Sequence, residues 1–228
     1  MPGHTYAEPA VTVLLVCTGN ICRSALAERL GRAYLDDVLG DDAAAIRLGS
    51  AGTHAVVDSA MHPDSALVLQ GYGAEPGDFR ARRLTEAITA EADLTLTMTR
   101  AHRAEVLRLA PRALARTFTI REAAALLADV DEPEGASLPE RVRALVDAMA
   151  AARAGRSSGA DDDDVVDPID RPVEVHEEAG ELIAGALLPV LARLAALVAD
   201  GTPSTVLPVG DDSRGSLDEH TARIAPQA

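Results

Sequence analysis

Residues 11–16 read VTVLLV and run straight into Cys17-Thr18-Gly19-Asn20-Ile21-Cys22-Arg23-Ser24. A segment rich in valine and leucine, without charge and without polar alternation, predicts a strand buried on both faces. Such strands belong to parallel sheets covered by helices on each side. From about Ser24 the period changes, and Leu26, Leu30, Ala33, Tyr34 and Val38 fall along one side of a helix. The chain is therefore committed near its start to a strand–loop–helix unit, with a loop of only a few residues between the two elements.

Further strands are predicted at 46–48, 93–98 and 116–120. Helices are predicted at 64–70, 100–109, 121–128 and through Val142, Leu145, Val146 and Met149. A long apolar helix, bent near Pro189, is expected over 174–199. Strands alternating with helices give βαβ units and an α/β fold. Residues 1–200 are expected to form one domain, with a charged helical insertion at about 129–164 and a flexible tail at 201–228. The stretch GRSSGADDDD at 155–164 is predicted to be a mobile surface loop.

The net charge of −15 offers no field to attract nucleic acid or an anionic membrane surface. All 21 basic residues are arginine, so a lysine-dependent phosphate loop is ruled out. The apolar stretch at 182–192 is short for a membrane span, and the N-terminus lacks the pattern of a signal peptide. The expectation is a cytoplasmic protein with neither a nucleic-acid partner nor membrane insertion.

The two cysteines, Cys17 and Cys22, and the single asparagine, Asn20, all fall inside the loop after the first strand. Cys17 and Arg23 bracket five residues. A loop of that length at a helix N-terminus can turn its backbone N–H groups inward as a nest for a tetrahedral oxyanion. Arg23 would close the ring with a bidentate guanidinium. Thr18, Gly19, Asn20, Ile21, Cys22, Arg23 and Ser24 are thus the candidate phosphate-binding loop, with Gly19 expected to take a backbone conformation other residues resist. Cys17 would lie under the anion as a thiolate nucleophile. Ser24 can donate a hydrogen bond to that sulfur, and Asn20 can brace the loop. The plainer reading is a small buried thiol at a strand end. Two cysteines without a suitably spaced Cys/His pair form no zinc site, and the six histidines show no metal-ligand spacing. His102 and Arg103 read as a solvated helix face.

VCTGNICRSA at 16–25, followed by a helix and Ser50-Ala51-Gly52-Thr53, resembles the low-molecular-weight protein tyrosine phosphatases in their bacterial branch. The resemblance extends over about residues 11–198. It takes in Ala81-Arg82-Arg83-Leu84-Thr85, DLTLTMTR at 93–100 and Val166-Asp167-Pro168. It implies a four-stranded parallel sheet in the order 2-1-3-4 with helices on both sides. It also implies hydrolysis of phosphotyrosine through a cysteinyl phosphate on Cys17, without a cofactor or metal. Asp167, on a turn stiffened by Pro168, matches the family's general acid. Cys22 stands where the family often has a cysteine able to pair reversibly with Cys17, though a packed thiol is the simpler role. The implied partners are phosphotyrosine-containing proteins, a bacterial tyrosine kinase among them.

The chain departs from the family at the walls. Ile169 and Asp170 follow Asp167-Pro168 where aromatic residues are common, and His54-Ala55-Val56-Val57 also lacks an aromatic ring. His54 and Ile169 are accordingly the candidate pocket walls. Phe79 stands where many relatives have a histidine that braces the loop asparagine, and Ala25 replaces a proline. Two other functions share the scaffold. A thiol-dependent arsenate reductase needs cysteines beyond Cys17 and Cys22, and a non-catalytic phosphoprotein-binding module would be expected to lack Cys17, Arg23 or Asp167.

Overall fold

A computed structural model describes residues 10–155 and 163–199. Four parallel strands, β1 (Val11–Cys17), β2 (Ile46–Gly52), β3 (Leu94–Thr97) and β4 (Thr117–Thr119), lie in the order β2-β1-β3-β4. Seven α-helices accompany them: α1 (Arg23–Leu39), α2 (Pro63–Gly71), α3 (Glu86–Glu91), α4 (Arg100–Leu109), α5 (Ile120–Leu127), α6 (Leu138–Ala152) and α7 (Val173–Ala199). The predicted tail at 201–228 and part of the acidic loop lie outside the described residues.

β1 is central because both of its faces are apolar. Val11, Val13, Leu15 and Cys17 point into the large core built from α1, α5, α6 and α7. Leu14 and Val16 point the other way, into a smaller cluster with Ala51, Leu84, Ala92 and Val106. The period of two places alternate side chains on opposite faces. Each leucine or valine buried this way contributes about 1.5–3 kcal/mol relative to exposure. β1 therefore cannot slip by one residue without exchanging its two cores.

α7 runs unbroken with Pro189 inside it, and it is long and apolar enough by length and composition to cross a membrane. In this fold its apolar residues are spent on the core: Ile183, Leu187, Leu191 and Leu194 are fully enclosed. The helix within residues 129–164 has a similar use. α6 buries Leu138, Val142, Leu145, Val146 and Met149 in the main core, and Arg153 just beyond it pairs with Glu122 at 2.8 Å over the ring of Phe118. Sequence reading missed α3, whose one and a half turns are too short for a periodic signal. Its start is marked by Thr85, whose hydroxyl accepts from the Ile88 amide.

Candidate functional site

β1 ends at Cys17, and α1 begins at Arg23, so residues 18–22 must turn between them within a few ångströms. The residue that makes the turn is Asn20, whose φ of 56° is left-handed. Asparagine tolerates that region better than other side-chain-bearing residues. Gly19, expected to hold the unusual conformation, does not: its φ is not in the left-handed range, and a Cβ there would meet only ordinary contacts. The glycine the loop needs is Gly52, where a Cβ would lie 2.4 Å from the carbonyl oxygen of Thr18.

The outer side of the loop is sewn to the segment after β2. The carbonyls of Cys17, Thr18, Gly19 and Ile21 accept from the amides of Thr53, His54, Val56 and His62, all at 2.8–3.0 Å. With those carbonyls engaged outside, the loop amides are the groups left to face an anion. Asn20 fixes the loop from within. Its Nδ2 donates to Ser24 Oγ (2.9 Å) and to Ser50 Oγ (2.8 Å), and its Oδ1 accepts from the Arg82 amide (2.8 Å). Ser50 Oγ in turn donates to Glu28 at 2.6 Å. Phe79 is packed beneath the Arg29 guanidinium, 5.6 Å from its ring centroid.

Cys17 Sγ lies 2.9 Å from Ser24 Oγ and accepts from the Asn20 amide at 3.3 Å. Arg23 is 4% exposed. Its Nη1 donates to the Val165 carbonyl (3.1 Å), its Nη2 meets Asp167 Oδ2 at 2.6 Å, and its Nε is buried without a partner. Asp167 is 47% exposed, and its Oδ1 accepts from the Ile169 amide. Val165, whose amide bonds to the Met98 carbonyl beyond β3, ties this acidic segment to the sheet. The structure thus brings Cys17, Arg23 and Asp167 around one cavity of about 220 Å³, with His54, Ile169, Ile21 and Val56 along its wall. A larger cavity of about 410 Å³ lies elsewhere, lined by Arg29, Arg47, Arg80 and Arg82 and by acids, with no cysteine.

His102 corrects the sequence reading. It is buried, not solvated: Nε2 lies 2.8 Å from Thr18 Oγ1 and Nδ1 lies 2.8 Å from Thr99 Oγ1. Burial, followed by the charge of Arg23, lowers its pKa to about 4, against opposing effects of Asp167 and Asp164. The ring is neutral at pH 7 and links the phosphate-loop threonine to the start of α4. The available signal was Thr99, a helix-start hydroxyl three residues before His102.

Cys22 is buried, and burial pushes its thiol up to about 11, partly offset by a hydrogen bond with Ser65. Both cysteines are free thiols. The sequence showed no metal-ligand spacing, yet the fold gathers Cys22, His62 and His176 so that one ligand atom from each lies within 4.8 Å of the others.

Residues 12–154 match the family model described as low molecular weight phosphotyrosine protein phosphatase. The chain is 35% identical over 107 residues to the low molecular weight protein-tyrosine-phosphatase Etp of Escherichia coli K12, covering 47% of this chain and 67% of that protein. It is 31% identical over 144 residues to the probable phosphatase EpsP of Ralstonia solanacearum, covering 63% and 90% respectively. A solved low molecular weight protein tyrosine phosphatase from T. tengcongensis superposes with a TM-score of 0.58 at 27% identity, covering 80% of this chain and 99% of that one.

Proposed function

This chain belongs to the low molecular weight phosphotyrosine protein phosphatase family, and we propose that it hydrolyses phosphotyrosine through a cysteinyl phosphate on Cys17. The observation that carries the mechanism is the convergence of Cys17 Sγ, the buried Arg23 with its unpartnered Nε, and Asp167 on one small cavity. In this reading the phosphoryl oxygens take the loop amides and the Arg23 fork, displacing Asp167 from its ion pair. Cys17 sulfur then attacks phosphorus, forming the S–P bond as the P–O bond to the phenol breaks. Asp167 delivers the proton that the departing phenolate needs. In the second step water attacks phosphorus, Asp167 takes its proton, and the sulfur departs with Ser24 donating to it.

The aliphatic wall of Ile21, Val56 and Ile169 suits a phenyl ring by burial rather than stacking, which predicts weak discrimination among aryl phosphates. Among the described residues Asp167 is the one carboxylate on that wall, which gives little to hold a cationic substrate. Cys22 is the loop thiol that would pair with Cys17 once the latter has been oxidised to a sulfenic acid, releasing water; burial, which pushes the Cys22 thiol up to about 11, makes it a slow nucleophile for that step. The same reading has the protein act in the cytoplasm, where both thiols stay reduced, on phosphotyrosine-bearing proteins including a bacterial tyrosine kinase.

The test is turnover of para-nitrophenyl phosphate and of a phosphotyrosine peptide by the purified chain in the presence of a chelator. Both should be hydrolysed, and Cys17→Ser should abolish both. An active Cys17→Ser variant, or arsenate reduction with a thiol reductant in place of ester hydrolysis, would overturn the proposal.

A further inference from the structure

We propose that Cys22, His62 and His176 bind a divalent cation of the zinc class, with Asp64 as the fourth ligand, directly behind the phosphate-binding loop. The three residues come from the loop itself, from the residue preceding α2 and from the first turn of α7, so only the tertiary fold assembles them. One ligand atom from each lies within 4.8 Å of the others, and Asp64 Oδ2 is 3.9 Å from both His62 Nδ1 and His176 Nε2. A thiolate, two imidazoles and a carboxylate form a borderline-soft set that favours zinc over calcium or magnesium.

His176 is the second observation pointing to a ligand. Its ring is 1% exposed, and its Nε2 is buried without a hydrogen-bond partner. Its Nδ1 meets Ser65 Oγ at 2.9 Å. In the tautomer with hydrogen on Nδ1, donated to that hydroxyl, the Nε2 lone pair is free, the arrangement of a metal-bound histidine and its outer-shell partner. Ligand atoms around one zinc stand roughly 3.3–3.8 Å apart at ordinary bond lengths, so the set must close by about 1 Å. His62 can supply that movement. It stacks on His176 at 4.8 Å with 20° between the rings, and its side chain is 26% exposed, so it can turn in and also mark the entry path. On binding, Cys22 sulfur takes the metal and its thiol proton leaves to solvent.

The site couples to the chemistry through the backbone. The His62 amide donates to the Ile21 carbonyl at 2.8 Å, and His176 follows Asp167 by nine residues. A bound cation would pin the loop, the start of α2 and the start of α7 together, and would hold Cys22 away from Cys17. The binding does not depend on the phosphatase reading; its effect on turnover does.

The experiment is a cobalt titration of the chelator-stripped full chain, in wild type and in Cys17→Ser and His62→Ala. One equivalent should bind wild type with a thiolate-to-cobalt charge-transfer band and the d–d absorption of a tetrahedral ion, and Cys17→Ser should keep both. His62→Ala should weaken binding by more than about a hundredfold, since loss of even an outer-shell partner costs 10–100-fold. Zinc should inhibit wild type while sparing His62→Ala, each measured against its own metal-free turnover. Absence of the thiolate band, its loss in Cys17→Ser, or equal affinity in His62→Ala would overturn the site. Equal zinc inhibition of both proteins would overturn its coupling to the loop.

Discussion

Replacing Asp167 by asparagine separates two effects that the structure joins in one carboxylate. Asp167 Oδ2 sits 2.6 Å from Arg23 Nη2, on a guanidinium that is 4% exposed, while the carboxylate itself is 47% exposed. Unit charges about 4 Å apart attract by about 4 kcal/mol at an effective dielectric near 20. Half-exposure of one partner reduces this towards the value of surface pairs, and about 1 kcal/mol is a realistic figure. A phosphate dianion must displace that interaction to occupy Arg23. Asp167→Asn should therefore bind inorganic phosphate or vanadate about fivefold tighter, the factor that 1 kcal/mol represents. The same change removes the proton donor. Phenyl phosphate, whose leaving group needs the proton, should lose about 10²–10⁴ in kcat, while para-nitrophenyl phosphate should lose far less. The assay is kcat on both esters together with the inhibition constant of phosphate at fixed ionic strength. Equal losses on the two esters would remove Asp167 as the acid, and weaker phosphate binding would refute the ion-pair argument.

Asn20→Ala removes three buried side-chain hydrogen bonds and leaves alanine at φ 56°, so unfolding in urea should show a loss of about 3–5 kcal/mol. Asn20→Gly should recover about 1 kcal/mol of it, and no recovery would show that the left-handed backbone carries no cost. Burial, followed by the charge of Arg23, lowers the His102 pKa to about 4 in the fold from 6.5 ordinarily, against Asp167 and Asp164, which raise it. The unfolded chain therefore binds the extra proton between these values. Stability contributed by the neutral ring is fully present above about pH 6.5 and is lost by about 3 kcal/mol as pH falls towards 4. His102→Gln should lose that slope in stability measured against pH. Gly52→Ala sets a methyl against the Thr18 carbonyl, and a lower Tm together with a reduced kcat/KM is expected, the overpacking costing about 1–3 kcal/mol.

The architecture was readable because each strand and every helix except the short α3 carries a change of period or a stop signal. The charge-free run at 11–16, buried on both faces, could only be an inner strand, and the helical spacing from Ser24 fixed where the loop must turn. The grouping of the loop's residues was readable for a related reason: Cys17, the loop amides and Arg23 are neighbours in the chain, so spacing alone constrains their geometry. What supports the loop was not. Asn20 is held by a hydroxyl 30 residues away and a backbone amide 62 residues away, and a backbone amide leaves no trace in residue type. His102 was misread because a polar residue on an amphipathic helix looks the same whether its face meets water or a pair of threonine hydroxyls. Cys22, His62 and His176 escaped notice because ligand spacing detects sites within one segment, and these three belong to separate elements.

Asp167 is the instructive intermediate case. It lies beyond residues 12–154, the stretch matched by the family model, so its place depends on how the chain returns to the site after α6 and the acidic loop. Two backbone contacts of Val165 decide that return. Its amide bonds to the Met98 carbonyl at 2.8 Å, extending the end of β3, and its carbonyl accepts from Arg23 Nη1 at 3.1 Å. Arg23 therefore holds the segment that carries the proposed acid with one nitrogen and the Asp167 carboxylate itself with the other. Its Nε remains for an incoming anion. When phosphate takes Asp167's place on Nη2, the Nη1–Val165 bond need not break, so the acid is released from the arginine while its backbone stays anchored beside the pocket. A side chain freed over a fixed backbone can protonate a leaving group without any larger closure, because the distance it must cover is set by rotation about its own bonds.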